Sequence, residues 1–196
     1  MIKAVIFDCF GVLIGDGLEV VCQALEKTDP ESRAFITEMM HLSNRGIIDP
    51  TESNQRIIER LGTTIEDWRA RISQSETRNQ PVLDLVRELR TNYKTALLSN
   101  IGRGSLKRRF SDEELAVLFD VIVASAEVGM MKPDPEIYLL TAQRLGLTPQ
   151  ECVFIDDREA FVTAAREVGM QGIWFEGALQ LRRDLDVLLH PTKGDG

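Results

Sequence analysis

Residues 5–13 read Val5-Ile6-Phe7-Asp8-Cys9-Phe10-Gly11-Val12-Leu13, and the prediction of the fold starts from them. An apolar run from Ile2 to Phe7, rich in β-branched residues, predicts a buried strand that ends on the carboxylate of Asp8. Open α/β sheets bind their ligands at this end of their strands. Aspartate also starts turns, so these residues alone leave Asp8 two roles, a turn former or a functional group.

The size and composition of the chain are those of an ordinary globular protein. Its 196 residues are 43% hydrophobic and 28% charged, which is enough apolar material for one substantial domain or for a compact domain with a smaller insertion. The formal net charge of −8 disfavours nucleic acid and anionic membranes as partners, because both require a positive surface. An anionic substrate would therefore need local positive charge or a metal ion.

The three cysteines indicate a reducing compartment. Cys9, Cys22 and Cys152 are too few and too scattered for a disulfide framework and lack the spacing of zinc ligands, so we expect a cytoplasmic location. The apolar run before Asp8 is too short for a signal peptide, and no later stretch has the length of a transmembrane helix. Disorder is expected only near residues 190–196.

Helical patterns follow the first strand. Apolar residues recur at helical spacing in four segments, which predicts four consecutive helices between polar joints at residues 15–17 and 76–81. In the third helix, Asp49 is the predicted N-cap, Glu52 the reciprocal capping residue and Gly62 the C-terminal stop. The pattern predicts a helical cap, residues 15–81, inserted into a core formed by residues 1–14 and 82–196.

Helices and strands alternate after residue 81. Predicted strands cover residues 94–99, 119–124, 152–155 and 172–175, and predicted helices begin at Val82, Pro135, Arg158 and Ala178. Short apolar strands that alternate with helices are typical of a parallel, doubly wound sheet with helices on both faces. The predicted fold class is therefore α/β, a Rossmann-like core with an inserted four-helix cap.

Polar side chains follow the predicted strands, and we expect them to converge because the carboxyl ends of parallel strands meet at one edge of a sheet. Three of them are carboxylates, which would repel one another without a counter-ion. Mg²⁺, commonly held by one or two carboxylates, waters and a substrate phosphate, fits this set. An aspartate nucleophile splits phosphoryl transfer into two steps, with a lysine and a hydroxyl available to stabilise the transferred group. The side chains are Asp8, Ser99, Asn100, Lys132, Asp156 and Asp157.

The same segments resemble the haloacid dehalogenase-like hydrolase superfamily, in its helical-cap subclass. The matching motifs are residues 5–8 with 11–13, 97–100, 132–138 and 153–157, in the order of the family and over nearly the whole chain. The resemblance implies that Asp8 is the nucleophile, Ser99 a donor to the substrate and Lys132 the charge balancer, with Asn100 beside Ser99 in the catalytic set. It also implies a Mg²⁺ site formed by Asp8, the backbone carbonyl of Phe10, Asp156 and Asp157.

Position 10 departs from the family pattern. Family phosphatases usually carry a second aspartate two positions after the nucleophile, as general acid and base, whereas this chain has Phe10. Such a group typically supplies on the order of 10²–10⁴ in rate, so we expect a preference for good leaving groups such as aryl, acyl or sugar-1-phosphates. Phe161 is a second departure, since relatives often have asparagine there, and it leaves the support of the two acids open.

An aromatic residue at position 10 also resembles the 2-haloacid dehalogenases, which attack carbon and need no metal. Those enzymes normally lack the acidic pair Asp156-Asp157, so the pair favours a Mg²⁺-dependent phosphatase acting on a small phosphorylated metabolite. Two alternatives stay open. One is a metal-independent 2-haloacid dehalogenase, and the other is a binding or regulatory relative that has lost turnover.

Arginines outside these motifs are further candidates. Arg45 lies in an expected loop between cap helices, from which it could reach the substrate, although a plain surface position is the more common role of such a residue. The glycines on either side of Asp16 and the joint at Pro81 predict a cap that opens and closes over the core. A basic cluster after the second motif forms either an anion site or a solvated face, and it contains Arg103, Lys107, Arg108 and Arg109.

Overall fold

Five strands of the computed structural model, which describes residues 1–190, form one parallel sheet. In chain order they are β1 (Ala4–Phe7), β2 (Lys94–Ser99), β3 (Val121–Ala124), β4 (Cys152–Asp156) and β5 (Gln171–Trp174). Their order in the sheet is β3-β2-β1-β4-β5, so β1 lies at its centre and the strand order reverses beside it. This arrangement confirms the predicted α/β fold class.

Five helices lie between β1 and β2, and we call the first four of them the helical insertion. They are α1 (Gly17–Thr28), α2 (Pro30–Asn44), α3 (Pro50–Leu61) and α4 (Ile65–Ser73). Their inward faces form a separate apolar cluster of buried residues, namely Cys22, Ile36, Met39, Ile57 and Trp68. The division of the chain into a cap of residues 15–81 and a core of residues 1–14 and 82–196 stays a prediction.

The ends of α3 show how the local sequence sets the limits of a helix. The Asp49 carboxylate accepts a hydrogen bond from the backbone N–H of Thr51 at 2.8 Å, as an N-cap does. Gly62 ends the helix with φ of 61°, a conformation that glycine adopts without steric cost. The predicted reciprocal cap by Glu52 is wrong, because its carboxylate pairs with Arg56 one turn further along the helix.

The remaining helices cover the two faces of the sheet. Side chains of β1 alternate between two apolar clusters, one on each face, because successive strand residues point in opposite directions. One cluster includes residues of α5 (Gln80–Leu89), α6 (Asp112–Leu118) and α10 (Ala178–Leu189), and the other includes residues of α8 (Pro135–Leu145) and α9 (Glu159–Glu167). Within residues 1–190, no helix is both long enough and apolar enough to cross a membrane.

Most differences from the predicted elements lie around β3. This strand begins at Val121, two residues later than predicted, because residues 112–118 form α6, a helix absent from the prediction. The Ser111 hydroxyl caps that helix by accepting from the N–H of Glu114 at 3.1 Å. Smaller elements are α7 (Ser125–Val128) and two 3-10 helices, Leu106–Arg108 and Pro149–Glu151. Residues 191–196, part of the segment expected to be disordered, lie outside the described residues.

The two connections between the insertion and the core pack directly against each other. The backbone N–H of Gly15 donates to the carbonyl of Thr77 at 2.9 Å. A Cβ added to Gly15 would lie 2.0 Å from the backbone oxygen of Ser75, and one added to Gly17 would lie 1.9 Å from that of Ile72. Glycine is therefore required at these positions for close backbone approach, a reason that the sequence pattern does not reveal.

Candidate active site

The C-terminal edge of the sheet carries the predicted side chains. Asp8 follows β1, while Ser99 and Asp156 are the last residues of β2 and β4. A cavity of about 560 Å³ lies between this edge and the helical insertion. Its lining includes Asp8, Phe10, Ser99 and Lys132 from the core. Apolar residues from the insertion form another wall: Leu18, Cys22, Ile36, Met40, Trp68 and Ile72.

Lys132 joins the first two carboxylates of the site. Its ammonium Nζ lies 2.8 Å from Oδ1 of Asp8 and 2.6 Å from Oδ2 of Asp156, and all three side chains are buried. Burial raises the pKa of Asp8 to about 7, because the favourable effect of Lys132 is opposed by the charge of Asp156 as well. Burial acts to lower the pKa of Lys132, but the two carboxylates raise it above its usual value, so Lys132 is a cation here.

Three carboxylates make this edge suitable for a divalent cation. Oxygen atoms of Asp8, Asp156 and Asp157 lie within 4.8 Å of one another, with Lys132 as the ammonium group between two of them. Oδ1 of Asp157 is buried and has no hydrogen-bond partner among residues 1–190, and burial followed by repulsion from Asp156 raises the pKa of Asp157 to about 6. Hard oxygen donors with excess negative charge fit Mg²⁺.

Gly11 makes room for the third carboxylate. Its φ is 83°, and a Cβ at this position would lie 2.3 Å from Oδ2 of Asp157. Any larger residue would therefore displace Asp157 as well as adopt a strained backbone conformation. Phe10, the residue before it, places its ring under the guanidinium of Arg109, with the Cζ atom 4.9 Å from the ring centre.

Ser99 and Asn100 are neighbours in sequence but differ in their surroundings. The Ser99 hydroxyl is buried against the cavity and has no hydrogen-bond partner within residues 1–190. The Asn100 side chain instead holds the backbone of Lys132, donating to its carbonyl and accepting from its N–H, both at 2.8 Å. Asn100 therefore positions the backbone of Lys132 and also lines the cavity, and its catalytic role stays a prediction.

Arg45, the predicted substrate residue, lies outside this cavity. Its guanidinium pairs with the Asp134 carboxylate at 2.8 Å, and its Nε donates to Nε2 of His41 at 3.1 Å. This ion pair connects the end of α2 to the segment just after Lys132. The role of Arg45 in substrate binding stays a prediction.

Arg158 supports the acidic pair, and sequence reasoning missed it. Its backbone N–H donates to Oδ1 of Asp156 at 2.9 Å, while its guanidinium donates to Oδ2 of Asp16 at 3.2 Å in the first connection. Phe161 contributes differently, because its ring lies 5.1 Å from the Lys132 ammonium. The one signal for Arg158 in the sequence is its position directly after Asp157.

The sequence of the chain matches a known protein family and several curated proteins. A family profile described as haloacid dehalogenase-like hydrolase matches residues 2–169. A phosphorylated carbohydrates phosphatase from Thermotoga maritima is 28% identical over 88% of this chain and 84% of that protein. An (S)-2-haloacid dehalogenase from Xanthobacter autotrophicus is 27% identical over 86% of this chain and 73% of that protein. The chain spans between 7% and 29% of the length of six other curated relatives.

A solved structure agrees with the family profile. The magnesium complex of the HAD family enzyme bt-2542 from Bacteroides thetaiotaomicron superposes with a TM-score of 0.72 and is 26% identical, covering 90% of this chain and 94% of that one. The profile match spans β1 to the end of α9, and so includes each of the strand ends that carry the site. The chain therefore belongs to the haloacid dehalogenase-like hydrolase family and is a hydrolase.

Proposed function

We propose that this protein is a Mg²⁺-dependent phosphatase that hydrolyses small phosphate monoesters through an aspartyl-phosphate on Asp8. The observation that carries the proposal is the buried contact of Asp8 with Lys132, beside two further carboxylates and at the base of a cavity. The phosphatase from Thermotoga maritima and the magnesium complex of bt-2542 support the same reaction class and metal.

The arrangement of the buried groups gives each of them a role. Because Lys132 holds Oδ1 of Asp8, we assign the attack on phosphorus to Oδ2, which forms an O–P bond while the bond to the leaving oxygen breaks. The Ser99 hydroxyl, free of other partners within residues 1–190, donates to a phosphoryl oxygen. Water then attacks the phosphorus, releasing inorganic phosphate and regenerating the Asp8 carboxylate.

The proposed metal site shares Asp8 with the nucleophile. Asp8, Asp156, Asp157 and the backbone carbonyl of Phe10 would hold Mg²⁺, which when bound neutralises the negative charge of the phosphoryl group. Lys132 favours the ionised form of Asp8, because its charge opposes the rise in the Asp8 pKa that burial causes. Arg158 keeps Asp156 oriented through its backbone N–H.

We infer the substrate to be a small phosphorylated metabolite with a good leaving group. Phe10 offers no proton to a departing alkoxide, so the reaction depends on the acidity of the leaving alcohol or phenol. Residues 15–81 act as a cap that closes over the core and excludes water. The buried free thiols of Cys9, Cys22 and Cys152 support a reducing, cytoplasmic compartment.

A metal-independent 2-haloacid dehalogenase is the second candidate, favoured by the aromatic residue at position 10 and by the relative from Xanthobacter autotrophicus. The acidic pair Asp156-Asp157 argues against this candidate, because 2-haloacid dehalogenases normally lack it. One buried oxygen of Asp157 has no hydrogen-bond partner among residues 1–190. A binding or regulatory protein without turnover is the third candidate, since the acid expected at position 10 is missing.

One panel of assays separates the three. Phosphate release from an aryl phosphate that requires Mg²⁺ and disappears in Asp8→Asn supports the phosphatase. Halide release from 2-chloropropionate in the presence of a chelator supports the dehalogenase. Ligand binding with neither activity supports the third candidate. Asp186→Asn, an exposed change on α10, serves as the matched control, and thermal unfolding shows that both variants are folded.

A further inference from the structure

Three arginines that line the cavity, Arg69, Arg108 and Arg109, form no ion pair with Asp8 within residues 1–190. Arg69 comes from α4 of the helical insertion, while Arg108 and Arg109 come from the end of the 3-10 helix Leu106–Arg108 in the core. The charged groups that act on Asp8 are Lys132 and Asp156. Those that act on Arg108 are Arg109, Arg69 and Glu76. Asp8 and these arginines therefore have different ionic partners within residues 1–190.

The arginines differ in how their charge is compensated. Arg109 makes a two-pronged contact with the Glu76 carboxylate, including a hydrogen bond of 3.0 Å from Nε, and also donates to the carbonyl of Ser105. Arg108 donates to the neutral hydroxyl of Ser105 at 2.8 Å. Within the described part of the chain, residues 1–190, neither Arg69 nor Arg108 forms an ion pair.

The rest of the predicted basic cluster lies elsewhere. Lys107 pairs with Asp112 at 3.1 Å, and Arg103 donates to the carbonyl of Gly46 at 3.3 Å, and neither lines the cavity. The predicted cluster thus contains three members that are paired or lie outside the cavity. The fourth, Arg108, is exposed, forms no ion pair within residues 1–190 and lines the same cavity as Arg69 of the insertion.

The positive charge of Arg69, Arg108 and Arg109 contrasts with the negative net charge of the chain. The chain carries a net charge of −8, yet of the three arginines here only Arg109 is paired with a carboxylate, that of Glu76. Partial burial lowers the pKa of Arg108, and repulsion from Arg109 and Arg69, which line the same cavity, lowers it further. An anion placed between them would relieve this repulsion and gain charge-assisted hydrogen bonds from planar guanidinium groups.

We propose that Arg69 and Arg108 bind a second anionic group of the substrate, a carboxylate or a phosphate, at the end remote from the phosphoryl group. The proposal rests on the proposed function, in which the phosphoryl group lies at Asp8. Trp68 and Ile72 form apolar surface of the same cavity, which suits an apolar spacer between the two anions. Such a substrate contacts the core at one end and both the insertion and the core at the other.

A pair of matched substrates tests the proposal. 3-(4-phosphonooxyphenyl)propanoate carries the second anion, and its propanamide is neutral at that end, while the methylene groups keep the two leaving phenols nearly equal in acidity. We expect kcat/KM to favour the acid by about tenfold to a hundredfold, the usual range for a hydrogen bond between charged groups. The ratio of the two kcat/KM values should fall towards one in Arg108→Gln and in Arg69→Gln. A third compound with a terminal phosphate shows which of the two anions the arginines prefer.

Lys107→Gln is the control, because it removes the same charge from the same segment outside the cavity. Equal kcat/KM for acid and amide in the unmodified protein, or an equal loss of preference in Lys107→Gln, would overturn the proposal. Calorimetric titration with the non-hydrolysable benzylphosphonate analogues of both compounds tests the arginines without turnover. If no ester releases phosphate but the acid analogue still binds more tightly through Arg108, the proposed function fails and the anion site stands.

Discussion

Phe10 occupies the position at which family phosphatases are expected to carry a second aspartate. It stands two residues after Asp8, lines the cavity and has the guanidinium of Arg109 over its ring. The carboxylate of Glu76, which also lines the cavity, is paired with Arg109. In the proposed mechanism, a poor leaving group would therefore take its proton from water or from the substrate.

Hydrolysis should depend strongly on the leaving group, and Phe10→Asp should weaken that dependence. We expect Phe10→Asp to raise the kcat for a simple alkyl phosphate by about tenfold or more, because a general acid typically supplies 10²–10⁴ in rate. Phe10→Asn is the control, because asparagine is similar in size to aspartate but cannot transfer a proton. Initial rates with aryl and alkyl phosphates measure the effect, and equal rates for the two in the unmodified protein would contradict it.

The carboxylates of the site should make the metal-free protein less stable as the pH rises. Burial raises the pKa of Asp8 to about 7 and that of Asp157 to about 6, so the folded state retains protons that the unfolded chain has lost. Between about pH 5 and pH 7, we expect the free energy of unfolding to fall by on the order of 2 kcal/mol in the presence of a chelator. Lys132 does not contribute here, because its pKa is raised from an already high value.

Two measurements isolate this effect. Asp8→Asn should reduce the decline in stability across the window, whereas the exposed change Asp186→Asn should leave it as it is. Saturating Mg²⁺ should cancel the decline, because the metal binds the ionised carboxylates. Urea unfolding at several pH values gives the free energies, and a decline of the same size in Asp8→Asn would count against Asp8 as its source.

At the scale of elements, the connections to the helical insertion are close-packed. Gly15 and Gly17 lie against the backbone of residues 72–77, so the first connection cannot accept a side chain without moving the second. We expect Gly15→Ala to lower the free energy of unfolding by about 1–3 kcal/mol, the usual cost of overpacking. Gly177→Ala is the control, with nothing within 4 Å of the added Cβ, and should change stability by about 0.5 kcal/mol or less. Urea unfolding measures both free energies. An equal decrease in the two variants would contradict the close backbone contact at Gly15 as the cause of the loss.

The elements also show what the sequence can predict and what it cannot. The strands and the groups at their ends are predictable because an apolar run and a polar stop are adjacent in sequence, as in Phe7-Asp8 and Ile155-Asp156. The partner of Asn100 is not predictable in this way, since Lys132 is 32 residues away and the contact depends on backbone geometry. The sequence likewise does not reveal that Arg108 and Arg69 line one cavity, because Arg69 comes from a different part of the fold and carries no motif.

For the molecule as a whole, the insertion and the core meet through charged contacts. Arg45 of the insertion pairs with Asp134 of the core, and Arg158 of the core pairs with Asp16 at the start of α1. The Ser125 hydroxyl also donates to the carbonyl of Asn44 at 2.6 Å. Polar contacts of this kind can separate at low cost in water, unlike an apolar interface, so this arrangement is suited to repeated opening and closing.

We therefore expect two positions of the insertion relative to the core, with a phosphate analogue selecting the closed one. Nitroxide labels on Gln55→Cys in α3 and Asp186→Cys in α10 report the distance between the two parts, and both sites are exposed whereas the three native cysteines are buried. Adding Mg²⁺ with tetrahedral vanadate should narrow the distance distribution and remove its longer component. Arg158→Gln should enlarge that component without vanadate, whereas Arg182→Gln, which breaks an exposed pair within the core, should not. Because vanadate binding is verified independently by inhibition, an unchanged distribution would mean that the cap does not move and that water is excluded by the static walls of the cavity.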